Sequence, residues 1–355
     1  MDFTKLTEDT KLLYTSFNQT KDCVVFGTNT GFYVYTMKPN FKKIIARKIP
    51  GGVSLVEMLY KSNIIIFVGN VDKGLYPKKK LIIWDDHKRS VRGEILCKSK
   101  IINLKITRKI ILVTTNSKIY IYNFSNLALI KSIETRENLN GICAICVEKG
   151  LLIYPGEKPG SVNITKFEED YLKTMEAHQS NLEVINIDSS GKYLVTSSET
   201  GTLVRIFDIE TNKLIKELRR GSDRVKIVDL KFSENLKYLL CSSIKGTIHI
   251  FNTMINSDDN QENTKDNNIS LGYGTYYFTD YLPQYFSSEW SFTQFYLDKV
   301  IVNSIFIDDK EIVSIGDNGN YYVLSFENNK STVVNTFRFV SDENDPFNDR
   351  TTTIK

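Results

Sequence analysis

Histidine is scarce in this chain: His87, His178 and His249 are the three among 355 residues. Chemistry that relies on an imidazole base or on a histidine metal cluster therefore has few places to sit. Cysteine is little used as well, with five residues, of which Cys143 and Cys146 in "GICAICVEKG" are the close pair. No second Cys or His pair lies near them in sequence to complete a zinc site, so they read as two thiols carried on a β-strand. No run approaches the roughly eighteen apolar residues of a spanning helix. The polar start "MDFTKLTEDTK" lacks the apolar core of a signal peptide, and a soluble protein of the cytosol is expected. Charge is nearly balanced, 46 basic against 42 acidic residues for a net +4. With no concentrated basic stripe among aromatics, nucleic acid is not an expected partner. A Gly-rich phosphate loop, a supported Ser, His and acid arrangement and paired metal ligands are all missing. We expect no enzyme, no cofactor and no metal.

What the chain does have is repetition. At 41% hydrophobic content it can bury a substantial core. "SSETGTLVRIFD" from Ser197 and "SSIKGTIHIFN" from Ser242 share a Ser pair, a turn, Gly-Thr and a β-rich strand, offset by 45 residues. That offset suits a propeller blade of four strands, whose period is about 40–45 residues. Weaker copies occur in "TGFYVYT" from Thr30, "KKLIIWDD" from Lys79, "SKIYIYNF" from Ser117, "GSVNITKF" from Gly160 and "GNYYVLSF" from Gly319, which makes seven. Alternation within them argues for strands, and helical periodicity is almost absent elsewhere. From Gly31 through Lys80, Lys118, Gly160 and Gly201 to Gly246 the steps are 49, 38, 42, 41 and 45, and the step to Gly319 is 73. The expected fold is all-β, a single seven-bladed β-propeller over residues 1–355, with a long insertion in one blade.

The insertion spans residues 254–289. Residues 254–272 are rich in Asn, Asp, Gln and Glu with little to bury, and are expected to be a disordered loop. Residues 273–289 differ. Tyr276, Tyr277, Phe278, Tyr281, Leu282, Tyr285 and Phe286 crowd together, and from Tyr277 onward their spacing would gather them on one helical face. Pro283 argues against one unbroken helix. Such aromatics either pack on the propeller's own side or enter a membrane interface.

Between the two strongest repeats lies "KLIKELRRGSDRVKIVDLKF", from Lys213 to Phe232. If Leu218, Arg219, Arg220 and Gly221 run extended between consecutive blades, the two guanidinium groups point to opposite sides and serve different pockets. Each offers a planar fork of donors that matches a phosphate. Gly221 is expected to let the backbone turn without a Cβ in the way.

"ELRRGSDR", set between "SSETGTLVRIFD" and "SSIKGTIHIF", resembles the PROPPINs, seven-bladed propellers that bind phosphoinositides and are called WIPI proteins in animals. "LIIWDDHKRS" looks like that family's second blade and "NGICAICVEKGLLIYPGEKPGSV" like its fourth. "YLPQYFSSEWSFTQF" looks like the end of its long sixth-blade loop. The resemblance implies one pocket of Arg219, His178, Ser198 and Thr202 and a second of Arg220, Ser243, Thr247 and His249. It departs from the common pattern at Leu218, where many members have Phe, and at Thr200, commonly Lys, so the first pocket holds one cation fewer.

By the same resemblance the chain is expected to be monomeric in solution. It would bind phosphatidylinositol 3-phosphate and phosphatidylinositol 3,5-bisphosphate and use the aromatic half of the insertion on the membrane. It would serve as an adaptor for autophagy lipid-transfer or conjugation machinery, recruited peripherally to autophagosomal precursor, endosomal or vacuolar membranes. The rival reading is a protein-only scaffold whose Arg pair braces two blades or reads acidic peptides. "PKKK" at Pro77 to Lys80 and "KSKIINLKITRK" from Lys98 are candidate docking or membrane-facing charges, although such lysines are more often simply solvated.

Overall fold

Each of the seven repeats folds into its own antiparallel sheet. The computed structural model describes residues 10–253, 255, 288–327 and 331–338. From first to last strand the sheets run Leu12–Phe17 to Lys42–Lys48, Val53–Met58 to Ser90–Leu96, Ile101–Ile106 to Leu129–Glu134, and Ala144–Cys146 to Leu172–Glu176. The last three run Leu182–Ile187 to Leu214–Arg219, with Glu289–Trp290 added outside it as a fifth strand, Ile227–Phe232 to Thr293–Tyr296, and Ile301–Phe306 to Thr332–Arg338. These are blades one to seven of a β-propeller. Within each, sequence order is spatial order, so the innermost strand comes first and the outermost last.

Strand composition follows position in the blade. The second strands Cys23–Thr28, Ile64–Gly69 and Ile110–Thr115 are buried along their whole length, because both faces meet neighbouring blades. They are accordingly near-continuous apolar runs. The outer strand Lys42–Lys48 instead alternates exposed and partly buried residues.

Every pair of adjacent blades shares one apolar core. Blades four and five, for example, meet through Ile164, Met175, Leu194 and Phe207, and blades five and six through Val204, Leu218, Leu230 and Phe251. The ring closes in the same way, with Val24, Phe26 and Tyr33 of blade one against Val313, Ile315 and Tyr321 of blade seven. Asn303 Nδ2 donates to the Thr15 carbonyl across that seam at 3.0 Å.

Lysines add a second, regular tie. Lys131 Nζ donates to the Lys166 and Glu169 carbonyls, both at 2.8 Å. Lys173 Nζ reaches Ile209 and Glu210 at 2.9 and 2.7 Å, and Lys216 Nζ reaches Asn252 and Thr253 at 3.2 Å each. Each of these lysines sits on the fourth strand of its blade and caps carbonyls at or just past the end of the next blade's third strand.

The glycines of the repeats are required. Gly201 and Gly246 have φ of 64° and 85°. A Cβ on either would lie 1.8 Å from a carbonyl of the following connection, that of Val225 or Leu297. The turn is therefore pressed against the chain entering the next blade, and only glycine allows that approach.

The inner strands leave a central channel of about 590 Å³. Lys105, within "KSKIINLKITRK", points into it and donates to Glu57 Oε1 at 2.5 Å. Lys105 is thus neither a docking charge nor a plainly solvated one: its partner is a channel carboxylate. In "PKKK", Lys80 pairs with Glu94 at 3.0 Å and Lys78 with Asp72 at 3.4 Å. Cys146 ends a short strand and Cys143 stands just before it, both as free thiols.

The insertion leaves blade six after its third strand, Thr247–Asn252, and returns for the fourth, Thr293–Tyr296. Tyr276, Tyr277, Phe278, Tyr281, Leu282, Tyr285 and Phe286 lie outside the described residues. Ile255 packs on the core between blades five and six. Ser288 and Glu289, which the sequence reading places in the insertion, belong to the propeller wall.

Candidate functional site

The Arg pair stands at the end of the fourth strand of blade five. In Leu214–Arg219, Leu218 pairs with Val204 and Arg219 with Leu203. Leu218 is fully buried in the core shared with blade six. Alternation then turns Glu217 and Arg219 to the other face, toward blade four. Thr196, Ser198 and Arg205 share that face, because Leu194 and Phe207 in the same alternation pack on blade four.

His178 enters this groove from the connection between blades four and five. Its backbone N–H donates to the Gly160 carbonyl at 3.0 Å, and its Nε2 lies 3.0 Å from Thr196 Oγ1. Arg205 donates to the Ala177 carbonyl at 2.6 Å and to Glu217 Oε2 at 2.9 Å. Ser288 donates to Glu217 Oε1 at 2.7 Å. Burial alone would raise the Glu217 carboxyl, but the Ser288 hydroxyl and the guanidinium groups of Arg205 and Arg219 hold it below the usual range. Burial, reinforced by Arg205, pushes the His178 imidazole down to about 4, so it is neutral at physiological pH.

Arg220 continues the ladder, its N–H donating to the Thr202 carbonyl at 2.9 Å. Its Nε donates to the Gly201 carbonyl at 2.9 Å, and Nη2 donates to the Asp223 carbonyl. The side chain turns toward blade six, where its charge acts on His249 and Cys241. Burial, with Arg220 second, pushes the His249 imidazole down to about 4. His249 Nδ1 lies 3.0 Å from Ser291 Oγ. Ser243, Cys241, Thr247 and His249 alternate onto the blade-five face of blade six. The Ser243 hydroxyl is buried and has no hydrogen-bond partner among the described residues.

Seven of the eight expected residues lie on one or other face of the arginine strand, Thr202 being the exception, and the alignment of the two blades needs two adjustments. Thr247 pairs with Tyr296, but the matching ladder position in blade five is Leu203, opposite Arg219. Thr202 stands one step back and is tied through its carbonyl to Arg220. Arg205 likewise matches His249, since Thr196 pairs with Arg205 as Cys241 pairs with His249.

Gly221 is a correction. Its φ is not in the left-handed region, and a Cβ there would meet nothing within 4 Å. The turn does not need this glycine, which instead leaves open space beside Arg220.

Arg205 and Glu217 were not foreseen. Glu217 stands two residues before Arg219, and that i, i+2 relation places both on one face. The partners of the pair come from distant sequence, which no local pattern reports. Also unforeseen is a fifth strand on blade five: Glu289–Trp290 runs parallel to the arginine strand, Leu218 opposite Glu289 and Arg219 opposite Trp290.

Comparison with known proteins bears on this arrangement. The PROPPIN family model matches residues 11–296. The chain belongs to the PROPPIN family. It is 38% identical over 247 residues to autophagy-related protein 18e of Arabidopsis thaliana, a match covering 68% of this chain and 66% of that protein. Hsv2 of Kluyveromyces lactis, solved with its complete loop 6CD, superposes with a TM-score of 0.76 at 23% identity, covering 94% of this chain and all of that one. A complex of KlAtg21 with the coiled-coil of AgAtg16 gives 0.73 at 23% identity, covering 93% and 100%. At these identities the solved structures establish the fold, a PROPPIN propeller.

Proposed function

We propose that this protein is a peripheral membrane adaptor. It binds phosphatidylinositol 3-phosphate and phosphatidylinositol 3,5-bisphosphate in two pockets on the edges of blades five and six. The first pocket is His178, Ser198, Thr202 and Arg219, the second Arg220, Ser243, Thr247 and His249. The observation that supports this reading is the division of consecutive arginines between the two faces of one strand, each face carrying hydroxyl and imidazole groups. A guanidinium keeps its charge at any cellular pH and presents paired donors to phosphate oxygens. Both imidazoles are neutral at pH 7, so they serve as hydrogen-bonding groups and the arginines supply the charge. Two modest sites on one rigid body gain avidity through effective concentration at a membrane.

The aromatic part of the insertion, Tyr276 to Phe286, enters the interface next to these pockets. Family membership supports recruitment of autophagy machinery, and the coiled-coil partner of the related KlAtg21 supports helical proteins as the docked class. Flotation with liposomes carrying phosphatidylinositol 3-phosphate, 3,5-bisphosphate, 4-phosphate or none tests the proposal. Binding confined to the 3-phosphorylated lipids and lost in the folded Arg219→Thr, Arg220→Thr variant is expected. Equal binding by parent and variant would return the arginines to a bracing role and favour the protein-only scaffold.

A further inference from the structure

Several outer strands of the propeller wall expose large apolar side chains, and two of these are aromatics on strands that flank the proposed pockets. Trp290 is 56% exposed and lies beside Arg219 in the fifth strand of blade five. Tyr296 is 74% exposed, at the end of the outer strand of blade six. Tyr296 pairs with Thr247 as Arg219 pairs with Leu203, so in blade six an exposed aromatic ring takes the ladder position that a guanidinium takes in blade five. Phe295 packs into the core with blade seven, which turns Tyr296 to the blade-five side, the side of His249 and Arg220.

The turns at the same rim carry the matching chemistry. Ile244 and Lys245 occupy the turn between Ser243 and Thr247, and Lys299 and Val300 the connection beside it. The two are in contact, since a Cβ on Gly246 would lie 2.6 Å from the Lys299 carbonyl. Ile244 and Val300 are 37% and 39% exposed. Trp and Tyr favour the level of lipid headgroups, small apolar residues enter just below it, and flanking lysines meet anionic lipid.

Resting on the membrane reading given above, we infer that the folded wall itself touches the bilayer. Trp290 and Tyr296, with Ile244 and Val300 on the rim turns, form a rigid interfacial contact independent of the insertion's aromatics. Its occupant is the headgroup and upper acyl region of an anionic membrane. The backbone of both aromatics is fixed: Trp290 by pairing with Arg219, with its neighbour Glu289 held to Lys216 at 2.8 Å, and Tyr296 by the blade-six ladder. The contact is therefore ordered before the membrane is met and adds little ordering cost on binding.

The chain has two tryptophans. The other, Trp84, donates to Asp86 Oδ1 at 3.2 Å in blade two. The Trp84→Phe protein thus reports on Trp290 alone. With vesicles containing phosphatidylinositol 3-phosphate we expect its emission to shift to the blue and to be quenched by lipids brominated high on the acyl chain. The Trp290→Ala, Tyr296→Ala variant should lose vesicle partitioning by about tenfold or more, given the apolar area of two aromatic rings. Its affinity for soluble inositol 1,3-bisphosphate should be unchanged. Co-flotation of the Trp84→Phe protein with unaltered, unquenched Trp290 emission would overturn this inference and leave the proposed function standing. Failure of the folded parent to float on any phosphoinositide vesicle would overturn both.

Discussion

Ser288 donates its hydroxyl to Glu217 at 2.7 Å across 71 residues of sequence. That bond fastens the returning limb of the insertion to the strand that carries both arginines. Lys216 holds the next residue, Glu289, at 2.8 Å, and His249 lies 3.0 Å from Ser291. The limb thus crosses from blade five to blade six directly beside the two grooves.

Loss of this anchor has a graded cost. Ser288→Ala removes one hydrogen bond and should destabilise by about 1 kcal/mol. Glu217→Ala also strips Arg205 of its ion pair in a largely buried setting and should cost roughly 3 kcal/mol. Urea unfolding of the two variants checks the order, and equal midpoints would argue that Glu217 has no larger role than its bond to Ser288.

Glycines in this chain fall into two kinds. Gly246→Ala forces a Cβ to 1.8 Å from the Leu297 carbonyl at a φ of 85° and should destabilise by about 2 kcal/mol or more. Gly221→Ala should change stability by less than about 0.5 kcal/mol, because open space surrounds it. If Gly221→Ala nonetheless weakens phosphoinositide binding, the space beside Arg220 is used by the headgroup.

Acid should loosen the fold through its two buried imidazoles. His178 and His249 titrate at about 4 when folded, against roughly 6.5 in the unfolded chain. Between these values the unfolded chain holds more protons. The stability they contribute is full above about pH 6.5 and is lost as pH falls toward 4, by up to roughly 3 kcal/mol each. Unfolding midpoints measured across that window should fall less steeply in a His178→Gln, His249→Gln variant. Identical slopes would contradict burial of neutral imidazoles.

Not every basic residue of the wall belongs to membrane attraction. Lys173→Met removes the two carbonyl contacts at 2.9 and 2.7 Å and should cost about 1–2 kcal/mol in stability while leaving vesicle binding unchanged. A matching loss of vesicle binding in the folded variant would show that this charge faces lipid.

The parts legible in the sequence are those with short range. The repeated turn followed by an alternating strand, with glycine at the turn in five of the seven copies, exposed all seven blades, since each blade is a local meander. The alternation of Leu218, Arg219 and Arg220 foretold that the arginines leave the strand on opposite sides. Other features depend on partners far away in sequence. The bond from Ser288 to Glu217 and the channel pair of Lys105 with Glu57 carry no local signature. Glu289–Trp290 is too short for any periodicity to show. The alignment of Gly-Thr in the two strongest repeats also hid a one-residue difference in the turn, which only the ladder reveals by matching Arg205 to His249. Gly221 reads as a turn residue because it has no Cβ, but the left-handed turns pressed against the next connection lie at Gly201 and Gly246.

Neighbouring arginines that serve separate phosphate pockets should bind two headgroups per chain. Titration of the soluble headgroup inositol 1,3-bisphosphate into the parent, Arg219→Thr and Arg220→Thr proteins measures this without a membrane. We predict two sites in the parent and one in each single variant, the remaining site keeping its affinity. A single site in the parent, or a stoichiometry untouched by either substitution, would contradict the account.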